Sequence, residues 1–232
     1  MAAPRVMLLL FVLCLAVAGL APWAAAGSAH SSLHLLEPAA SPADSMSFDV
    51  LVDSWIGSNT INSNFGDDPE VWVGVFSYGE VKVQRRTLLW FDISALPADA
   101  IVDSATLELV QIRADGEESY QIWPHQITGG WAEEEVTWEN APFSVSAGDP
   151  ATSLDTAPGV EIWGVSGIVQ AWQAGAGNFG ILLSGDGTTV GTRAFRSAEN
   201  SGVPPRLNIY YHQPADETPE PPARVYLPLV MK

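Results

Sequence analysis

Three tryptophans, Trp55, Trp72 and Trp90, each alternate against apolar neighbours with the better claim to an interior: Val52 and Ile56, Val71 and Val73, Leu89 and Phe91. On neighbouring strands, three outward indoles would make a flat platform, and sugar rings present apolar C–H faces to such surfaces. A loop or a partner domain laid over them is the competing reading for each one. Asp67, Asp68 and Glu70, with Asn62 and Asn64 close by, supply oxygens of the kind a hard cation such as calcium takes. Their spacing is not that of an EF-hand, so a solvated loop is the default for this stretch.

Catalysis finds less to work with. Nucleophilic chemistry needs a base, and of the four histidines His30 and His34 stand near the N-terminus, His212 at the far edge of the patterned region, and His125 beside Pro124 in a strand-like run. No Ser-His-Asp order stands out, and His125 reads as structural. His30 and His34 are four apart, but without a helical pattern that spacing is no metal signature. Glu133, Glu134 and Glu135 are the obvious carboxylates for glycoside hydrolysis, yet consecutive side chains diverge. Solvation or capping is their expected role. No catalytic residue is assigned, and the chain reads as a non-enzyme.

The sequence carries ten basic and 27 acidic residues, a formal net charge of −17. A surface of that sign repels phosphate backbones and anionic head groups, which excludes nucleic acid and membrane surfaces as expected partners. At the N-terminus Arg5 precedes the apolar run Val6 to Leu20, and Ala24 and Ala26 precede Gly27. A charged segment, an apolar segment and A-x-A in that order read as a signal peptide over residues 1–26, cleaved after Ala26. A membrane anchor is the alternative, disfavoured because the uninterrupted apolar stretch is shorter than a span and Gly19 and Pro22 close it off. Cys14, the one cysteine, leaves with that segment, so the secreted chain has neither disulfides nor thiol chemistry.

The elements that must position these residues are short. Residues 27–46 are small, polar and Pro-interrupted, a spacer. Over residues 47–212, β-branched and aromatic runs recur between Gly, Pro, Asn and Asp clusters: Phe48 to Ile56, Glu70 to Phe76, Gln84 to Ile93, Ser104 to Arg113, Tyr120 to Ile127, Val160 to Trp163, Gly180 to Ser184, Thr192 to Arg196 and Arg206 to Tyr211. Nine candidate strands at this spacing predict an all-β sandwich. Ser166 to Gln173, apolar at Ile168, Val169 and Trp172, suits one short helix. Alternation buries Leu89, Phe91 and Ile93 against Trp90 and Asp92, and Ala105, Leu107 and Leu109 against Thr106 and Glu108. Residues 213–224 form an acidic, Pro-rich linker, and 225–232 an apolar tail too short to span a bilayer.

Seven ordered pieces carry a resemblance: Asp53 to Gly66 with Asn64-Phe65-Gly66; Arg85 to Pro97; Ser104 to Leu107; Trp131 to Pro142; Val169 to Trp172 with Asn178-Phe179-Gly180; Phe195 to Glu199; and Pro205 to Leu207. Together they resemble the DNRLRE domain, a family classed among the carbohydrate-binding modules of secreted bacterial proteins. The resemblance implies a jelly-roll-like antiparallel β-sandwich that binds glycans or scaffolds other domains without catalysis of its own. It also implies that Trp131, Trp138 and Trp172 are core. Two places depart from the family's pattern: Trp90 stands where a basic residue is usual, and Gly164-Val165-Ser166 replaces Asp-Val-Thr. The terminal Val225 to Val230 is similar to a tail on many secreted bacterial proteins, read either as a surface-attachment signal or as a frayed terminus.

The expectation is a secreted, extracellular or cell-surface-attached, non-catalytic carbohydrate-binding or adhesion module. Its partner is a polysaccharide or cell-envelope glycan, and the acidic surface suits neutral glycans better than polyanions. The alternative is a structural cell-surface or matrix protein that binds no sugar.

Overall fold

The computed structural model describes residues 44–214. The expected signal peptide, most of the spacer, the linker beyond Pro214 and the apolar tail lie outside the described residues.

Twelve strands follow one another in the described residues: β1 Asp44–Asp49, β2 Val52–Gly57, β3 Glu70–Tyr78, β4 Val81–Trp90, β5 Ile101–Gly116, β6 Tyr120–Ile127, β7 Ser144–Val145, β8 Thr152–Leu154, β9 Gly159–Gly164, β10 Ile181–Ser184, β11 Gly191–Arg196 and β12 Arg206–His212. One helix, α1 Ser166–Ala171, runs into a looser turn at Trp172–Ala176. The pairing path is β1-β12-β5-β11-β3-β4-β10-β6-β7, with β2 also on β4, β9 on β5 and β8 on β6, all antiparallel. This is the expected all-β, jelly-roll-like sandwich with one short helix.

Two long strands make the sheet continuous by changing partners along their length. β5 pairs with β12 over residues 101–108 and with β11 over 111–116. β4 pairs with β3 over 81–85 and with β2 over 85–90. The main core lies inside, where the predicted alternation holds: Leu89, Phe91, Ala105, Leu107 and Leu109 are buried, and Ile93 packs against them. Val71, Val73, Ile181, Leu183, Leu207 and Ile209 belong to the same cluster.

A second cluster, Ile56, Leu88, Ile127, Val136 and Leu182, covers the opposite face of β2, β4, β10 and β6. The segment after β6 closes it with Trp131, Trp138 and Ala141, so these strands are apolar on both faces. Trp131 and Trp138 are therefore half-buried lids rather than core residues, whereas Trp172 is buried as expected. The expected strand Phe48 to Ile56 is two strands, broken at Val50 and Leu51, and β1 begins at Asp44, inside the stretch read as spacer. Met46 and Phe48 explain that extension, since both pack on the main core while their backbone pairs with β12.

Arg193 closes one end of the core. It is fully buried, lies over the Tyr120 ring, and donates to the carbonyls of Asp155 (2.9 Å), Glu117 (2.7 Å), Leu154 (3.2 Å), Thr192 (3.0 Å) and Asp115 (3.3 Å). Among the described residues, no helix is long and apolar enough to cross a membrane.

Candidate functional site

The three tryptophans expected to share a platform are separated. Trp55 is an interior residue: it is 7% exposed, stacks on Phe65 with ring centroids 3.7 Å apart, and donates from Nε1 to Asp68 Oδ2 at 3.0 Å. Alternation failed here because β2 is buried on both faces, Ile56 entering the second cluster while Trp55 enters the first. Trp72 and Trp90 remain partly exposed but line different clefts.

Two of the three carboxylates expected to serve a cation are committed within the protein. Asp68 Oδ1 accepts the Glu70 N–H at 3.1 Å, its Oδ2 accepts the Trp55 indole, and Glu70 is ion-paired with Arg113. Asp67 is exposed beside them, and among the described residues no group of three or more His, Cys, Asp or Glu is arranged to hold a metal ion.

The first cleft, of about 390 Å³, is lined by Trp72, Phe76, Arg85, Arg113, Ala114, Asp115 and Thr192. Strand register builds it. Ala194 of β11 pairs with Trp72 on one side and Arg113 on the other, and so small a side chain lets the Arg113 guanidinium lie 5.1 Å from the indole centroid. Arg85, opposite Gly74 on β3, lies 4.7 Å from Trp72, 4.6 Å from Phe76 and 4.9 Å from Trp55. At Gly74, φ is +131° and a Cβ would stand 2.1 Å from the Gly191 carbonyl oxygen, so only glycine allows β3 and β11 this approach. Burial lowers the Arg85 pKa while Asp68 opposes the shift; a guanidinium stays charged regardless, and its Nε has no partner. The cleft thus combines aromatic rings, cationic donors and the Asp115 carboxylate, a set that suits the ring faces and hydroxyl edges of a sugar.

A second cleft, of about 280 Å³, is lined by Val52, Trp90, Gly130, Trp131, Asn178 and Phe179. Trp90 ends β4 opposite Val52 of β2, Trp131 follows β6, and Asn178 to Gly180 lead into β10. Trp90 Nε1 donates to the Asn178 carbonyl at 3.2 Å, and Trp131 Nε1 to the Phe179 carbonyl at 2.9 Å. The Asn178 side chain holds this segment, donating to the Phe91 carbonyl at 2.7 Å and accepting the Gly180 N–H at 3.2 Å.

The consecutive glutamates diverge as expected. Glu133 Oε1 accepts the Asp53 N–H at 2.8 Å, while Glu134 and Glu135 are exposed. His125 faces Ser184 Oγ at 2.9 Å, and burial followed by the Arg86 charge lowers its pKa.

Sequence reasoning missed Phe76, Arg113, Asp115 and Thr192, which come from three strands, β3, β5 and β11. It also missed the pairing of Trp90 with Trp131. One signal was available: Asn-Phe-Gly occurs at 64–66 and again at 178–180. In both places the Asn side-chain oxygen accepts the Gly N–H and the amide nitrogen reaches a distant carbonyl, fixing where the Phe ring stands.

An antiparallel β-sandwich with aromatic-lined clefts on its surface has the form of a carbohydrate-binding module. The family comparison gives the particular kind: the model of carbohydrate-binding module family 96 matches residues 44–211, most of the chain, and the chain belongs to that family. No curated protein matches it.

Proposed function

We propose that this is a secreted, non-catalytic module that holds a polysaccharide or cell-envelope glycan in the cleft lined by Trp72, Phe76, Arg85 and Arg113. The observation that carries the proposal is that the largest of the described clefts sets two guanidinium groups and a carboxylate around half-exposed aromatic rings. Arg113 is the informative residue, because it is exposed and its ion pair with Glu70 contributes little to stability. Arg113→Ala is expected to weaken binding about tenfold, the scale of one charge-assisted hydrogen bond, and to leave the melting midpoint nearly unchanged. A glycan array on the mature chain, followed by titration of the best ligand, measures this. Silence across neutral and acidic polysaccharides would favour the structural, non-binding alternative.

Export rests on the order of Arg5, the apolar Val6 to Leu20 run and Ala24 to Ala26. Mass measurement of the exported protein should place Gly27 at its N-terminus; a product that keeps Val6 to Leu20 would overturn secretion by cleavage.

A further inference from the structure

The second cleft is built for a different task from the first. None of its lining residues, Val52, Trp90, Gly130, Trp131, Asn178 and Phe179, carries a charge. Both indole N–H groups are spent on the backbone of the segment that also holds Phe179, so what Trp90 and Trp131 offer a ligand is ring surface. Their orientation is fixed by the Asn178 clamp and by Gly180, whose φ is +100° and whose Cβ would stand 2.3 Å from the Leu89 carbonyl oxygen. The two Asn-Phe-Gly turns make an informative contrast. Phe65 is stacked against Trp55 in the interior, whereas Phe179 is 36% exposed at a cleft walled by two indoles.

We propose that this cleft is a second glycan subsite, specific for uncharged β-glucosyl units and separate from the cationic cleft; the proposal rests on the carbohydrate-binding reading. A β-glucopyranose ring carries its substituents equatorially, so both of its faces present axial C–H groups, which suit aromatic ring surfaces. A uronate would bring a carboxylate to a cleft with no cation and no free side-chain N–H on its indoles, and desolvating an unpaired charge opposes binding. The two clefts thereby divide recognition: the one with Arg85 and Arg113 reads the polar edge of a glycan, and the one with Trp90 and Trp131 takes an unsubstituted ring face.

The test is titration of the mature protein with cellohexaose, followed by tryptophan fluorescence and calorimetry. Trp90→Ala and Trp131→Ala should each weaken binding at least about fivefold, the scale of one aromatic contact. Trp131 also covers the second apolar cluster, so a fold-neutral variant is needed. Gly130→Gln provides it, since apart from its chain neighbours Gly129 and Trp131 no protein atom lies within 4 Å of a Cβ there. It should fill the cleft, weaken cellohexaose binding by a similar factor and leave the melting midpoint unchanged. The proposal is overturned if wild type shows no saturable binding at millimolar cellohexaose, or if Gly130→Gln and Trp131→Ala bind it like wild type. Loss of array binding on Arg113→Ala would still uphold the first cleft in either case.

Discussion

Raising the pH from about 4 to about 7 should destabilise the folded protein by roughly 3 kcal/mol through Asp53, and Asp53→Asn should flatten that dependence. Asp53 is fully buried on β2; its Oδ2 accepts the Ala198 N–H at 2.7 Å, and its Oδ1 has no partner. Burial pushes its pKa up to about 7, the Ala198 hydrogen bond opposes this, and the charges of Glu199 and Glu133 add to it. Between the ordinary carboxylate range and that value the native state holds a proton that the unfolded chain has released, so stability falls as pH rises. Glu133 is raised as well, chiefly by burial, and acts in the same direction. Asp92 and Asp186, held low by hydrogen bonds within their turns, and His125, lowered by burial, contribute with the opposite sign; the two aspartates are exposed and titrate below this window, and the His125 contribution offsets part of the Asp53 effect within it. Denaturant melts at pH 4, 5, 6 and 7 decide the matter. A wild-type profile that is level or rising across that range would refute the assignment.

Arg193→Met should cost about 3 to 5 kcal/mol of stability, the range for removing one member of a buried charged network. The guanidinium gathers carbonyls from three segments: Asp115 near the end of β5 with Glu117 just beyond it, Leu154 and Asp155 at the end of β8, and its own strand β11. Gln111, also fully buried, ties down the same stretch through the carbonyls of Asp155 and Ala157 at 3.1 and 2.8 Å. Methionine fills much of the volume but leaves these acceptors unanswered, and each unsatisfied buried acceptor costs about 1 to 3 kcal/mol. Lysine restores a charge without the planar fork, so Arg193→Lys should recover only part of the loss. Urea unfolding of the two variants measures both effects, and a cost below about 1 kcal/mol for Met would show that water replaces the guanidinium. Asp115 also lines the first cleft, so loosening this end should blunt glycan binding too.

Where the period of two carries apolar residues to the main core, the sequence was readable. Leu89 with Phe91, and Ala105 with Leu107 and Leu109, follow the period of two, and the short helix follows its own apolar spacing. The same rule failed for Trp55, because the chain between β2 and β3 returns Phe65 and Asp68 over it. The resemblance placed Trp131 and Trp138 too deep, because a motif marks that a residue is held in place, not how deeply. β7 and β8, two and three residues long, are too short to show any alternation. Arg193 could not be recognised as interior from its neighbours, since its partners are backbone carbonyls 38 and 39 or 76 and 78 residues away, apart from its own strand. The clefts share that difficulty: Trp90 meets Phe179 and Trp131 only through the folded chain.

The pairing of β1 with β12 has a mechanical consequence. Asp44 and Tyr211 are cross-strand partners, so the first and last strands of the sandwich begin and end side by side at one edge. Tension applied through those two ends would draw β1 away from β12 as a zipper opens, rupturing hydrogen-bonded pairs in succession instead of shearing all of them together. Load would fall first on the Asp44–Tyr211 end and travel towards Asp49 and Arg206, whose side chains are joined by a salt bridge at 2.8 Å. Both clefts are lined from strands other than this pair, so the stretched domain would release its outermost strand before the surfaces proposed to bind glycan were disturbed.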